Sequence, residues 1–233
     1  QIAESTATLL SKYADRPELY EPSMLSLAAN DKDVLDVCNG TEDSRFIRWA
    51  EGDVSALVNP HQRKWYNDAK AKGKLFYTEA YEDVSNHQMV VSAAVPYNGS
   101  DGAVRGAVCV DISLATLDAR VKNLKYHGEG EGIIIEPSGL IIASSEGMAM
   151  HKAEENPVLK ENFSAMLQNK SGYFATEKDG EQQIIAYTTV PSSGWIVAIA
   201  VPERVAFAQL ASLKMTYAIL SVLGILLIAG IIL

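Results

Sequence analysis

HQMVVSAAVPYNGSDGAVRGAVCVDIS, running from His87 to Ser113, is the stretch whose reading decides the fold. Met89, Val91, Ala93 and Val95 recur at the two-residue period of a strand with one buried face. NGSDG at 98–102 is a cluster of turn-forming residues, and an apolar run resumes over 103–113 directly after it. Two long strands joined by so short a turn pair antiparallel, so an antiparallel sheet is the first expectation.

Toward the N-terminus, VLDVC (34–38) followed by NGTEDSRFIRW (39–49) reads as a strand, a turn and a second strand. NPHQRKWYNDAKAKG (59–73) predicts a short helix stopped by Gly73, and LFYTEAYEDV (75–84) a further strand. The opening residues carry Ile2, Leu9, Leu10 and Tyr13 at helical spacing and read as the tail of a helix begun earlier. Toward the C-terminus, DISLATLDARVKNLKY (111–126) contains a connecting helix, and GEGIIIEPSGLIIASS (130–145) is a hairpin turning at Pro137, Ser138 and Gly139. A helix is expected over 155–169, then three strands over 172–205 with Asp179-Gly180 as a hairpin turn.

The fold class expected is therefore α+β, with two tandem modules that each place an antiparallel sheet beside helices. The boundaries are a helical segment over 1–33, a first module over 34–124, a second over 125–205 and a connector over 206–214. Residues 215–233, MTYAILSVLGILLIAGIIL, contain no charged residue. At about 1.5 Å per residue this run reaches roughly 28 Å, near the roughly 30 Å hydrocarbon core, so a transmembrane helix is expected there. The chain would then end inside a membrane span, cut at its C-terminus.

A net charge of -9 and a pI near 5.0, without a Lys/Arg cluster, argue against nucleic acid as a partner. Cys38 and Cys109 are too few and too far apart for a zinc site or a disulfide scaffold. One cross-strand bridge and two buried thiols both fit them. His61, His87, His127 and His151 are scattered without ligand spacing, and GEGEG (128–132) precedes a strand, where a linker is the simpler reading. With no His-Glu-x-x-His, Gly-x-Ser-x-Gly or phosphate loop, no enzyme, metal or cofactor is expected.

The chemistry-bearing residues gather within one region: Arg63, Trp65, Tyr66, Tyr77, Tyr81, Asp83 and Asp111. A guanidinium fork and an indole N–H suit a carboxylate, while two acids and aromatic faces suit an ammonium, so the set complements a zwitterion. The same residues also fit an internal salt bridge and a packed aromatic core.

Four segments extend this reading by resemblance. NPHQRKWYNDA resembles the Asp-Pro-Arg-x-Arg-x-Trp-Tyr-x-x-Ala segment of the double Cache sensor domains of bacterial chemoreceptors, membrane kinases and cyclases. YTEAYED is similar to that family's strand ending in Tyr-x-Asp, GAVCVDISLATL to its Gly-Val-x-x-x-Asp-Ile strand, and EPSGLIIASS to its second hairpin. The resemblance covers nearly all of residues 20–205. It implies two PAS-like modules, a small-molecule ligand in the membrane-distal one, a homodimer, and an extracytoplasmic sensor on the bacterial inner membrane.

For relatives that take amino acids, the resemblance implies Arg63 and Trp65 for the ligand carboxylate, and Tyr66 and Asp111 for its amino group. Tyr81 and Asp83 look like further pocket residues, and Tyr77 stays a candidate from the residue cluster alone. One position departs: Val58 stands where those relatives place a tyrosine. Losing one neutral hydrogen bond costs about 0.5–1.5 kcal/mol, roughly a factor of two to ten in affinity. Cys109 stands where amine-binding relatives carry a second acid, which fits a simple amine less well. An amino acid is the leading ligand class, with an organic acid, a purine or a pyrimidine as alternatives.

Overall fold

The computed structural model describes residues 1–28 and 31–208. Helix α1 (Ile2–Ser11) opens the chain, and Ala3, Ala7 and Leu10, followed by Ala14, line one face at three- to four-residue spacing. That face packs on Val37, Ile47, Val108 and Val110. The helix is shorter than the helical segment expected over 1–33. Pro17 and Pro22 each open a short 3-10 turn instead, Pro17–Leu19 and Pro22–Ala28, because proline cannot supply the amide that a continuing helix needs.

The first sheet contains β1 (Asp36–Thr41), β2 (Phe46–Arg48), β3 (Gly52–Asp53), β4 (Phe76–Tyr77), β5 (Tyr81–Glu82), β6 (Met89–Asn98) and β7 (Val104–Ser113). Its order is β3-β2-β1-β7-β6-β4, with β5 also on β6 and every pair antiparallel. The hairpin expected over 87–113 thus sits at its centre. The expected single buried face is incorrect. Ala93 and Val95 pack toward α1, while Ser92 and Ala94 are fully buried on the opposite face, beneath helix α2 (Lys64–Lys72). Gly73 ends α2 in the left-handed conformation, as the sequence predicts.

Register brings residues far apart in sequence into rows on the α2 face. Ser92 pairs with Asp111 and Asp111 with Asp36; in the next row Ala94 pairs with Cys109, Cys109 with Cys38, and Cys38 with Arg48. Glycines let the layers close along this ladder. A Cβ on Gly106 would stand 2.4 Å from both the Gly40 carbonyl oxygen and the Tyr97 hydroxyl. Gly106→Ala is therefore expected to cost about 1–3 kcal/mol of stability, read as a lower urea midpoint at unchanged slope.

Helix α3 (Leu114–Lys122) follows β7 directly, capped by the Ser113 hydroxyl accepting from the Thr116 amide at 3.1 Å. The second sheet contains β8 (Glu131–Ile135), β9 (Ile141–Ser144), β10 (Ser171–Lys178), β11 (Glu181–Thr189) and β12 (Ile196–Pro202), in the order β10-β11-β12-β8-β9. Asp179 and Gly180 both take positive φ at the β10–β11 turn, as that dipeptide predicts. Of the helix expected over 155–169, only α4 (Phe163–Asn169) forms. The Asn156 side chain accepts the Val158 and Leu159 amides, holding 156–159 as a turn.

The two sheets meet through a shared cluster that joins Val91, Leu114 and Tyr77 to Ile134, Ile142 and Trp195. The chain leaves the second sheet through α5 (Glu203–Ala206). The apolar run of 215–233 lies outside the described residues. No helix among the described residues is long and apolar enough to cross a membrane.

Candidate ligand-binding site

Between α2 and the segment 78–82 lies a cleft of about 340 Å³, lined among others by Arg63, Trp65, Asp68, Thr78, Glu79 and Tyr81. The sequence builds it in two steps. Asn59 accepts the His61 amide at 2.9 Å and starts a 3-10 turn, Pro60–Gln62, which leaves Arg63 extended at the N-cap of α2. Two residues into the helix, Trp65 is buried against Phe46 and Tyr66 while its ring edges the cleft. The Arg63 guanidinium lies 5.9 Å from the Tyr81 ring centroid and makes no ion pair with any described residue. It is a cation with a face and no anion.

Behind Tyr81 the residues are buried and acidic. The Tyr81 hydroxyl lies 2.8 Å from the Ser92 hydroxyl and 3.4 Å from Asp111 Oδ1. Asp111 is 1% exposed; it accepts from Ser92 Oγ at 2.5 Å and from Cys109 Sγ at 3.1 Å. Its neighbour Asp36 accepts from Arg48 Nε at 2.5 Å, and Arg48 also pairs with Asp83 at 3.5 Å. Two of these three buried carboxylates, Asp36 and Asp83, thus share one buried guanidinium. Only Asp111 has none but neutral donors, so the inner site carries uncompensated negative charge.

Burial pushes the Asp111 carboxyl above its ordinary 3.8, against the downward pull of the Ser92 and Cys109 hydrogen bonds. Burial raises Asp83 too, but the Ser85 hydroxyl and amide and the Arg48 charge outweigh it and leave that carboxyl lowered. A raised folded-state value means the Asp111 contribution is intact below 3.8 and is lost as pH rises through the folded value. Asp111→Asn has no such loss. Its stability relative to the native chain should improve as pH increases above 3.8, measured by urea unfolding at several pH values.

The remaining predicted residues go elsewhere. Tyr66 is fully buried, but its hydroxyl donates to Glu42 on the far side of α2, where Lys70 also pairs with Glu42 at 2.5 Å. It supports the helix and does not line the cleft. Tyr77 faces the second sheet, its ring tilted against that of Trp195 with the centroids 5.3 Å apart. Alternation along the strand sends position 77 to the opposite face from positions meeting α2. Asp83 caps its own turn through Ser85 and Asn86 and reaches the inner cluster only through Arg48. Val58 packs with the aromatic cluster of Phe46, Trp65 and Tyr66.

Cys38 and Cys109 are both free and buried. They are Cα partners across β1 and β7, which sequence distance concealed. Cys38, Cys109 and Asp111 bring potential metal-ligating atoms within 4.8 Å of one another. Both thiols are held in the protonated state: the Cys109 contact and burial raise Cys38, and burial pushes Cys109 to about 11. Those protons face carboxylates: Cys109 donates to Asp111, and Cys38 Sγ lies 3.7 Å from Asp36 Oδ2 and 3.8 Å from Asp111 Oδ2.

Residues 4–210 match the family model for the Cache domain, dCache_1. The chain belongs to the dCache_1 family. Among curated relatives, the methyl-accepting chemotaxis protein TlpA of Bacillus subtilis is 29% identical over 190 residues, covering 80% of this chain and 27% of that protein. PctB of Pseudomonas aeruginosa PAO1, also a methyl-accepting chemotaxis protein, is 26% identical over 201 residues, covering 82% and 30%. The chain therefore spans under a third of the length of these relatives. Among solved structures, the ligand-binding domain of Mlp24 with asparagine superposes with a TM-score of 0.59 at 26% identity, covering 88% of this chain and 83% of that one.

This Cache domain also uses residues that the sequence did not single out. Asp36, Arg48 and Ser92 complete the inner cluster, and each is marked only by a polar side chain within an apolar strand. Glu136, at the end of β8, is 1% exposed and accepts the Ala80 amide at 2.8 Å. A lone acid before Pro-Ser-Gly reads as turn chemistry, so no sequence signal points from Glu136 to the cleft.

Proposed function

We propose that the chain is the extracytoplasmic ligand-binding region of a bacterial transmembrane chemoreceptor, and that its first sheet binds a free L-amino acid. The observation that carries this reading is Arg63, a cation without an anion at the mouth of the cleft, with the unneutralised Asp111 on the far side of Tyr81. The ligand carboxylate takes Arg63 and the Trp65 indole N–H. Its ammonium lies over the Tyr81 ring and reaches Asp111 as the Tyr81 hydroxyl turns aside. The asparagine bound to Mlp24 supports the ligand class, and the chemotaxis proteins among the relatives support the role.

In this reading the first sheet is the membrane-distal sensing module, the second sheet transmits, and 215–233 spans the membrane. Ligand binding acts by preferring one of two conformations.

Calorimetric titration of the purified chain with L-amino acids, their decarboxylated amines, their deaminated acids and nucleobases tests the reading. The expected result is that at least one amino acid binds while its amine and its acid do not. Binding of a nucleobase or a simple carboxylate, with no amino acid binding, refutes it.

A further inference from the structure

The second sheet has a direct hold on the cleft. Ala80 lies in the cleft lining, and its amide donates to Glu136 Oε1 at 2.8 Å, while Ser138 Oγ donates to Glu136 Oε2 at 3.1 Å. Glu136 is 1% exposed, so this carboxyl is withdrawn from water to serve one backbone amide of another sheet. Three residues before Ala80, the Tyr77 ring packs at a tilt against Trp195. The cleft segment is therefore held by the second sheet just before its start, at Tyr77, and at its middle, at Ala80.

The two holding residues are neighbours. Ile135 and Ile196 are Cα partners in the β8–β12 ladder; Glu136 follows the first and Trp195 precedes the second. Both contacts thus fall on one end of the central strand pair. From that end β12 runs without interruption to Pro202 and into α5. A shift in 77–82 therefore meets the second sheet where the end of β8 and the start of β12, the strand leading to α5, lie side by side.

We propose that Glu136 is a positioning residue for the ligand cleft, setting the path of 78–82 and coupling occupancy of the cleft to the start of β12. The ligand half of this rests on the amino-acid reading; the hold on Ala80 does not. By reciprocity, whatever affinity Glu136 lends to the cleft is the free energy with which ligand biases the second sheet. A leucine at 136 removes the acceptor at similar volume, whereas a glutamine keeps a carbonyl oxygen for the Ala80 amide.

Hydrogen exchange on the full chain separates these terms. In Glu136→Leu, exchange at Ala80 should rise at least about tenfold while Val108 and Val110 in the first sheet stay protected, and Glu136→Gln should return Ala80 toward native protection. Cleft-ligand affinity should fall about tenfold in the leucine variant and recover in the glutamine variant. Ligand should slow exchange over 195–197 in the native chain and fail to do so in Glu136→Leu. Unchanged Ala80 exchange in Glu136→Leu, or glutamine failing as fully as leucine, overturns the proposal. If the native chain binds no amino acid, the sensing reading fails and the Ala80 exchange still decides the role of Glu136.

Discussion

An Arg63→Ala variant is expected to bind its amino acid roughly 10- to 150-fold more weakly than the native chain while unfolding at the same temperature. The guanidinium is the cleft's free cation, and hydrogen bonds to a charged group contribute about 1.5–3 kcal/mol each. Arg63 makes no ion pair with a described residue and only grazes the Tyr81 ring, so its removal leaves no buried charge behind. Arg63→Lys should recover only part of the affinity, since an ammonium cannot present two parallel N–H donors. Calorimetry and a thermal melt on the same samples check both halves. Affinity preserved in Arg63→Ala would remove the carboxylate pole from this cleft.

Arg48→Ala carries the largest expected cost in stability. Arg48 is 3% exposed and is the buried cation between Asp36 and Asp83, at 2.5 and 3.5 Å. Removing it leaves both carboxylates buried and unpaired, beside an Asp111 that already lacks a cation. Breaking a buried ion pair in this way costs about 3–5 kcal/mol, a large share of the roughly 5–15 kcal/mol that holds a domain folded. Urea unfolding measures it directly. If Asp36→Asn and Asp83→Asn are added to Arg48→Met, much of the loss should return, because the cost arises from uncompensated charge and not from lost volume. A loss below about 1 kcal/mol in Arg48→Ala would contradict the buried-cluster account.

The different fates of the seven predicted residues follow from what each side chain required. Arg63, Trp65 and Tyr81 were predicted and do line the cleft, because helix start and strand end place them locally. Asp111 and Asp83 stand one layer deeper, screened by Tyr81 and engaged by Ser92 and Arg48. Tyr66 and Tyr77 are aromatic residues of the same stretch of chain that do not line this cleft, one reaching Glu42 and the other Trp195. Residue type announces what a group can bind. It does not announce which face of its element the group will occupy when both faces are covered.

By itself the sequence determined the features set by near neighbours. Alternation over 89–95, the turn residues at 98–102 and 179–180, and Gly73 at the helix end each act within a few residues, where sterics and hydrogen bonding decide. The antiparallel strands and the position of α2 were therefore legible, along with the motifs that mark the Cache family. Only the tertiary structure decided what lies across from what. Asp36 faces Asp111, and Cys38 faces Cys109, because of ladder register between strands some seventy residues apart. Glu136 reaches Ala80 because the two sheets meet through a shared apolar cluster. Such pairings depend on the summed burial of whole faces, a non-local quantity that no short window of sequence contains.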